Sequence, residues 1–192
     1  MDKKQLKIEK EREVRTYSSL WTASYFHLIK GQEDREGCFY HFMASLTFTA
    51  FTLEAYLNHI GIKVFKSWEN LESLSPLSKL NIIAEKLEID INFGRRPWQV
   101  MKNLFRFRNE IAHGKSEIIK VSKVMSERKH QKEEFNGFEP TSWEKFCTEN
   151  NALKARKDVE EIVHSLYKAG NFEDDFPFTH GMETGSITLL KE

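Results

Sequence analysis

Apolar residues recur at three- and four-residue steps through most of the chain, the period of helices that bury one face. The clearest case is "CFYHFMASLTFTAFTLEAYLNHIG", where Phe39, Phe42, Met43, Leu46, Ala50, Leu53, Leu57 and Ile60 keep that step. Phe48, Phe51 and Tyr56 widen the apolar surface beyond one stripe, which predicts a helix central to a bundle. Upstream, residues 2–30 read as one long helix, polar in its first half and then apolar through Leu20, Trp21, Tyr25, Phe26, Leu28 and Ile29. The loop "GQEDREG" separates the two.

A third helix is expected from Ser75, suited to the N-cap, and Pro76, suited to the first helical position, to about Leu87. A fourth opens at Pro97 and stops at Gly114, and a last one covers about 152–169 with Leu153, Val159, Ile162, Val163, Leu166 and Tyr167 on one side. Residues 115–140 are rich in charge and keep no period, so they read as a long excursion with room for a short helix. No strand signal competes, and there is no internal repeat. The expected fold is all-α: an up-and-down bundle of four to five helices with a long charged loop before the last. Its organisation is a helical domain over 1–170, with 115–140 as a charged insertion, and an acidic tail over 171–192 that shows no period.

Length and composition narrow this picture. At 192 residues the chain suits one ordinary core. Basic and acidic residues both number 29, so no overall field draws it to nucleic acid or membrane. The charge is nevertheless uneven. Between Arg95 and Lys132 eleven basic residues face three acidic ones, making this segment +8 and the rest −8. That is the footprint of a polyanion site, or of a solvated charged loop. Cys38 and Cys147 have no disulfide or zinc spacing, which points to a reducing, cytoplasmic compartment. The charged start "MDKKQLKIEKEREVR" lacks a signal-peptide core, and nothing approaches the roughly 18 apolar residues of a membrane span. A soluble protein with no membrane partner is expected.

The fourth helix poses the chemical question. Trp98, Val100, Met101, Leu104, Phe105, Phe107, Ile111 and Ala112 fall on one broad face, and Arg108 projects from near its centre. Glu110 points away from that face, while Asn109 and His113, four apart, follow its edge. An unpaired guanidinium among apolar groups costs several kcal/mol and cannot escape by losing its proton. Two destinations are open. One is an internal carboxylate, with Glu54 the best placed because it borders the buried face of the second helix, one turn before Asn58. The other is a phosphate, received by the planar fork of donors at a cleft or subunit interface.

The string "RNEIAH", with Arg108, Asn109 and His113, resembles the signature of the HEPN superfamily: an arginine, then usually a polar residue, and a histidine four to six intervening residues after the arginine, near the end of a late helix. The glutamate and asparagine of "LEAYLN", Glu54 and Asn58, resemble a recurrent feature of the same proteins. The likeness covers about residues 15–168. It implies a metal-independent endoribonuclease without a cofactor, in a toxin–antitoxin or phage-defence system, cleaving RNA through 2′-hydroxyl attack at a cleft shared by a homodimer. His113 would act as acid or base, Arg108 would stabilise the phosphate, and Asn109 would orient the scissile group or the imidazole. Lys102, Arg106, Lys115, Arg95 and Arg96 would bind RNA, while Glu54 and Asn58 would support the site. One histidine per chain does not easily serve as both acid and base, a chemical reason to expect two copies. The family also contains non-catalytic modules that bind RNA, a nucleotide or a protein partner. Members paired with a nucleotidyltransferase antitoxin often carry a tyrosine two residues after the histidine. Here that position is Lys115, so modification of such a tyrosine has no acceptor, although an antitoxin partner stays open.

Other chemistry is set aside. Two Glu-x-x-His pairs, Glu110 with His113 and Glu161 with His164, suggest a di-iron bundle, but both glutamates lie away from their helices' apolar stripes. No metal is expected. His27, His41 and His59 sit in apolar helices as core or interface groups, and no Gly-rich phosphate loop or nucleophile elbow appears.

Overall fold

The computed structural model describes residues 5–120, 122, 124, 126, 139–173 and 175–190. Their order is β1 (Leu6–Arg12), α1 (Thr16–Glu33), α2 (Cys38–Val64), a single 3-10 turn at Trp68–Asn70, α3 (Pro76–Lys86), α4 (Val100–Ala112), α5 (Ser142–Phe146), α6 (Glu149–Gly170) and β2 (Glu183–Leu189). The chain is therefore mostly helical, with one small antiparallel sheet. Most of the 115–140 excursion, with any helix inside it, lies outside the described residues.

α2 is the centre of the bundle and packs against α1, α3, α4 and α6. Its Leu46, Ala50, Leu53, Leu57 and Ile60 are fully buried, as are Leu80 and Ile83 of α3, Met101 and Leu104 of α4, and Val159, Ile162, Val163 and Leu166 of α6. α1 meets α2 through small hydroxyl residues, which let the two backbones approach. Ser24 Oγ bonds the carbonyl of Ser45 at 2.9 Å and lies 2.7 Å from Thr49 Oγ1, so these buried polar groups are satisfied in place. Gly61 serves a similar end. A Cβ there would stand 2.4 Å from the Trp68 ring, so only glycine lets the 3-10 turn fold against α2.

Helix ends follow their local signals. Ser75 caps α3 by accepting from Ser78 N at 3.2 Å, with Pro76 at the first position. α5 carries a capping box: Thr141 Oγ1 accepts from Glu144 N, and Glu144 Oε2 accepts from Thr141 N at 2.6 Å. Among the described residues there are thus six α-helices where four to five are expected, the extra one being this single short element.

The expectation that no strand is present is corrected at both ends of the chain. Residues 6–12, expected inside the first helix, form β1, and α1 begins only at Thr16. Leu6 pairs with Leu189, Ile8 with Ile187 and Arg12 with Glu183. The charged residues of "LKIEKER" suit a helix in isolation, but the β-branched "SITL" supplies a strand partner from the far end of the sequence. Two further placements are corrected: Leu153 and Ala112, assigned to apolar faces by spacing, stand exposed.

The segment before β2 docks on the bundle. Asp175 is buried, with Arg15 Nη1 2.7 Å from its Oδ1, and Lys63 Nζ and His59 Nε2 at 2.6 and 2.5 Å from its Oδ2. Phe178 stacks on Trp21 at 4.4 Å, and the guanidinium of Arg156 lies 3.7 Å from the same indole ring.

Candidate nucleic-acid site

α4 divides its side chains between two jobs. Met101, Leu104, Phe105 and Phe107 go to the core, while Lys102, Arg106, Asn109 and His113 recur at three- and four-residue steps along the opposite, exposed side. With Leu77 from the start of α3, and with Phe105 and Glu110, these four line a groove of about 560 Å³. Arg106 Nη2 bonds Asn103 Oδ1 at 3.4 Å, and Lys102 Nζ lies 5.5 Å from the centre of the Phe93 ring. Glu110 Oε2 accepts from Ser142 Oγ at 3.0 Å, which ties α5 to the rim. His113 is the C-cap of α4, its backbone N–H bonded to Asn109 O at 2.9 Å and its ring exposed.

Arg108 turns the other way. Its Nη2 forms an ion pair with Glu54 Oε2 on α2, and its Nη1 donates to Asn109 Oδ1 at 2.9 Å. The guanidinium lies 5.6 Å from the centre of the Phe51 ring, and its buried Nε has no hydrogen-bond partner among the described residues. Of the two destinations the sequence leaves open for Arg108, the structure shows the internal carboxylate. The pair is not sealed, because the side chains of Arg108 and Glu54 keep 16% and 22% of their surface exposed. Asn109 links the two sides: its amide oxygen serves Arg108 while its side chain lines the groove.

The remaining candidate residues divide. Arg95 and Lys115 are exposed on either side of α4, outside the lining of the groove. Arg96 binds Asp158 of α6 through Nε at 2.8 Å and Nη2 at 2.7 Å, and this hydrogen bond holds its guanidinium above the ordinary pKa. Asn58 accepts from Lys79 Nζ at 2.8 Å, a lysine buried on α3. Glu54 and Asn58 therefore each hold one cation, one turn apart on α2. Sequence reasoning missed Lys79, Phe51 and the rim position of Glu110. Only Glu110 left a signal, since the step 106, 109/110, 113 is the polar half of the α4 period.

Charge and shape give the groove a definite chemistry. Two exposed cations one helical turn apart can take oxyanions, and an imidazole at the end of the row offers a nitrogen that can give or take a proton. Cys147 offers nothing comparable: burial pushes its thiol up to about 12. Among the described residues no group of three or more His, Cys, Asp and Glu side chains converges as a metal centre would require. Among the described residues no helix is long and apolar enough to cross a membrane. Comparisons with protein-family models, curated proteins and solved structures returned no match to this chain.

Proposed function

We propose that this chain is a HEPN-like RNA-binding domain that cleaves RNA without a metal ion when two copies bring their α4 grooves together. The observation that carries this reading is the row Lys102, Arg106, Asn109 and His113 lining one groove. Lys102 and Arg106 hold backbone phosphates, and Asn109 and His113 face the scissile one. One imidazole takes the 2′-hydroxyl proton as the 2′-oxygen attacks phosphorus, and the partner copy's imidazole gives a proton to the departing 5′-oxygen. The products are a 2′,3′-cyclic phosphate and a 5′-hydroxyl. Arg108 acts in this scheme by holding Asn109, and, where RNA displaces Glu54, by meeting the phosphate through its fork.

The test is RNA cleavage in EDTA by wild type, His113→Ala and Arg108→Ala. Cleavage with the stated ends, lost in His113→Ala, supports the reading. Intact RNA with wild type, or activity unchanged from wild type in both variants, removes it.

A second reading is favoured by the Arg108–Glu54 ion pair, which leaves the guanidinium neutralised inside one protomer. In that case the domain binds RNA, a nucleotide or a protein such as an antitoxin without cutting. RNA binding that depends on Lys102 and Arg106 but yields no cleavage supports this alternative.

A further inference from the structure

Away from α4, the pairing of α1 with α2 brings two histidines together near the loop that joins the helices. His27 Nδ1 and His41 Nδ1 lie 3.2 Å apart, with ring centres at 5.5 Å and planes tilted by 36°. The His27 ring stacks on Phe48 at 5.6 Å and 20°, which covers one face of that imidazole. The backbone is close as well: a Cβ on Gly31 would stand 3.1 Å from His41 Cβ and 2.7 Å from the Phe42 ring. Both rings are half-buried, and among the described residues neither makes another hydrogen bond.

Two neutral imidazoles meeting nitrogen to nitrogen can share one proton, but then one lone pair is spent on holding the other ring. A late transition-metal ion uses both. With Zn–N bonds of about 2.0–2.1 Å and tetrahedral angles, two ligand nitrogens stand roughly 3.3 Å apart, close to the observed separation. We propose that His27 and His41 are the protein half of a binding site for a divalent transition-metal ion, with zinc as the best fit.

Each imidazole binds as the neutral ring through Nδ1 and keeps its proton on Nε2, so the ring that had donated across the gap changes tautomer. The two remaining positions go to water or an exchangeable small ligand, since among the described residues no third His, Cys, Asp or Glu joins the pair. Such an ion clips α1 to α2 across their loop. The site shares no residue with the α4 groove, so it does not rest on the nuclease reading, and EDTA in the cleavage assay leaves the two questions separate.

The test is calorimetric titration of zinc chloride into protein stripped with EDTA and dialysed, comparing wild type with His27→Gln, His41→Gln and the distant control His164→Gln. Thermal melting with and without zinc gives a second readout. One zinc ion per chain is expected, with affinity falling by about tenfold or more in either pair variant and unchanged in the control. Zinc should raise the melting temperature of wild type and leave that of His27→Gln where it was. Circular dichroism establishes that each variant is folded, and His41→Cys, which keeps a zinc donor at that position, should retain binding if His41→Gln is unfolded. No saturable uptake by folded wild type overturns the proposal. So does an isotherm that neither pair variant changes, or loss of binding in both His41→Gln and His41→Cys when both are folded but not in His27→Gln.

Discussion

Arg108 Nη1 donates to Asn109 Oδ1 at 2.9 Å, so the first two residues of the RNEIAH string are joined side chain to side chain. A neighbour-to-neighbour contact of this kind places Asn109 at the boundary between the ion pair on α2 and the groove on the outer side of α4. Any change in the pairing of Arg108 therefore reaches the groove through one carboxamide.

Removing the carboxylate tests how far the bundle depends on that pairing. Among the described residues, Glu54→Ala leaves the half-buried Arg108 guanidinium with Asn109 and the Phe51 ring. A loss of about 1–2 kcal/mol is expected in urea unfolding, less than the roughly 3–5 kcal/mol of a fully buried pair because both groups keep some contact with water. Adding Arg108→Met to the same chain should recover part of the loss, since two apolar groups leave no charge unpaired. A double variant less stable than Glu54→Ala alone would contradict the assignment.

Lys102→Ala with Arg106→Ala should leave folding unchanged, because both side chains are exposed. The effect belongs in binding. For single-stranded RNA, two lost phosphate contacts lower the slope of log affinity against log salt by about 1.4. Fluorescence anisotropy across a salt series measures it, and an unaltered slope places the RNA elsewhere.

Asp175 should be the main fastener of the segment before β2. Burial pushes its carboxyl up, but hydrogen bonds from Lys63 and His59, together with their charges, outweigh burial and hold it below the ordinary value of 3.8. The unfolded chain therefore takes up this proton at a higher pH than the folded one, and the stabilisation is fully present above about pH 4. It fades as the pH falls further, through the folded-state value. Asp175→Asn should cost roughly 3 kcal/mol at neutral pH, where Arg15, Lys63 and His59 lose the negative charge they share. The gap between wild type and variant should narrow in acid. A gap that widens below pH 4 would show the opposite sign of linkage.

Gly61→Ala should destabilise by about 1–3 kcal/mol despite the better helix propensity of alanine, because the new methyl meets the Trp68 ring at 2.4 Å. Thermal melting followed by tryptophan fluorescence reads both the loss and the displaced indole.

Much of the bundle was legible because its signals are local. The spacing of Leu46, Leu53, Leu57 and Ile60 marked α2 as a helix, Phe48, Phe51 and Tyr56 marked it as central, and Ser75 with Pro76 marked the start of α3. What stayed hidden depends on distant partners. Nothing near Leu6 announces a strand, because its partner Leu189 lies at the other end of the chain. Nothing near Asp158 announces that it pairs with Arg96 and so engages one cation of the basic segment. In the candidate site, the helical period placed Asn109 and His113 on one edge, and the same period could not choose where Arg108 would find its anion. That choice depends on the depth at which α2 presents Glu54, a tertiary quantity.

The β1–β2 ribbon exposes every residue along both strands, so the pairing has almost no buried apolar area behind it. Closing it joins residues separated by nearly the whole polypeptide, a step whose entropic cost becomes small only after the helices have assembled. The ribbon is accordingly a late-forming and easily frayed seam, whose amides exchange with solvent by opening on their own while the helical core stays shut.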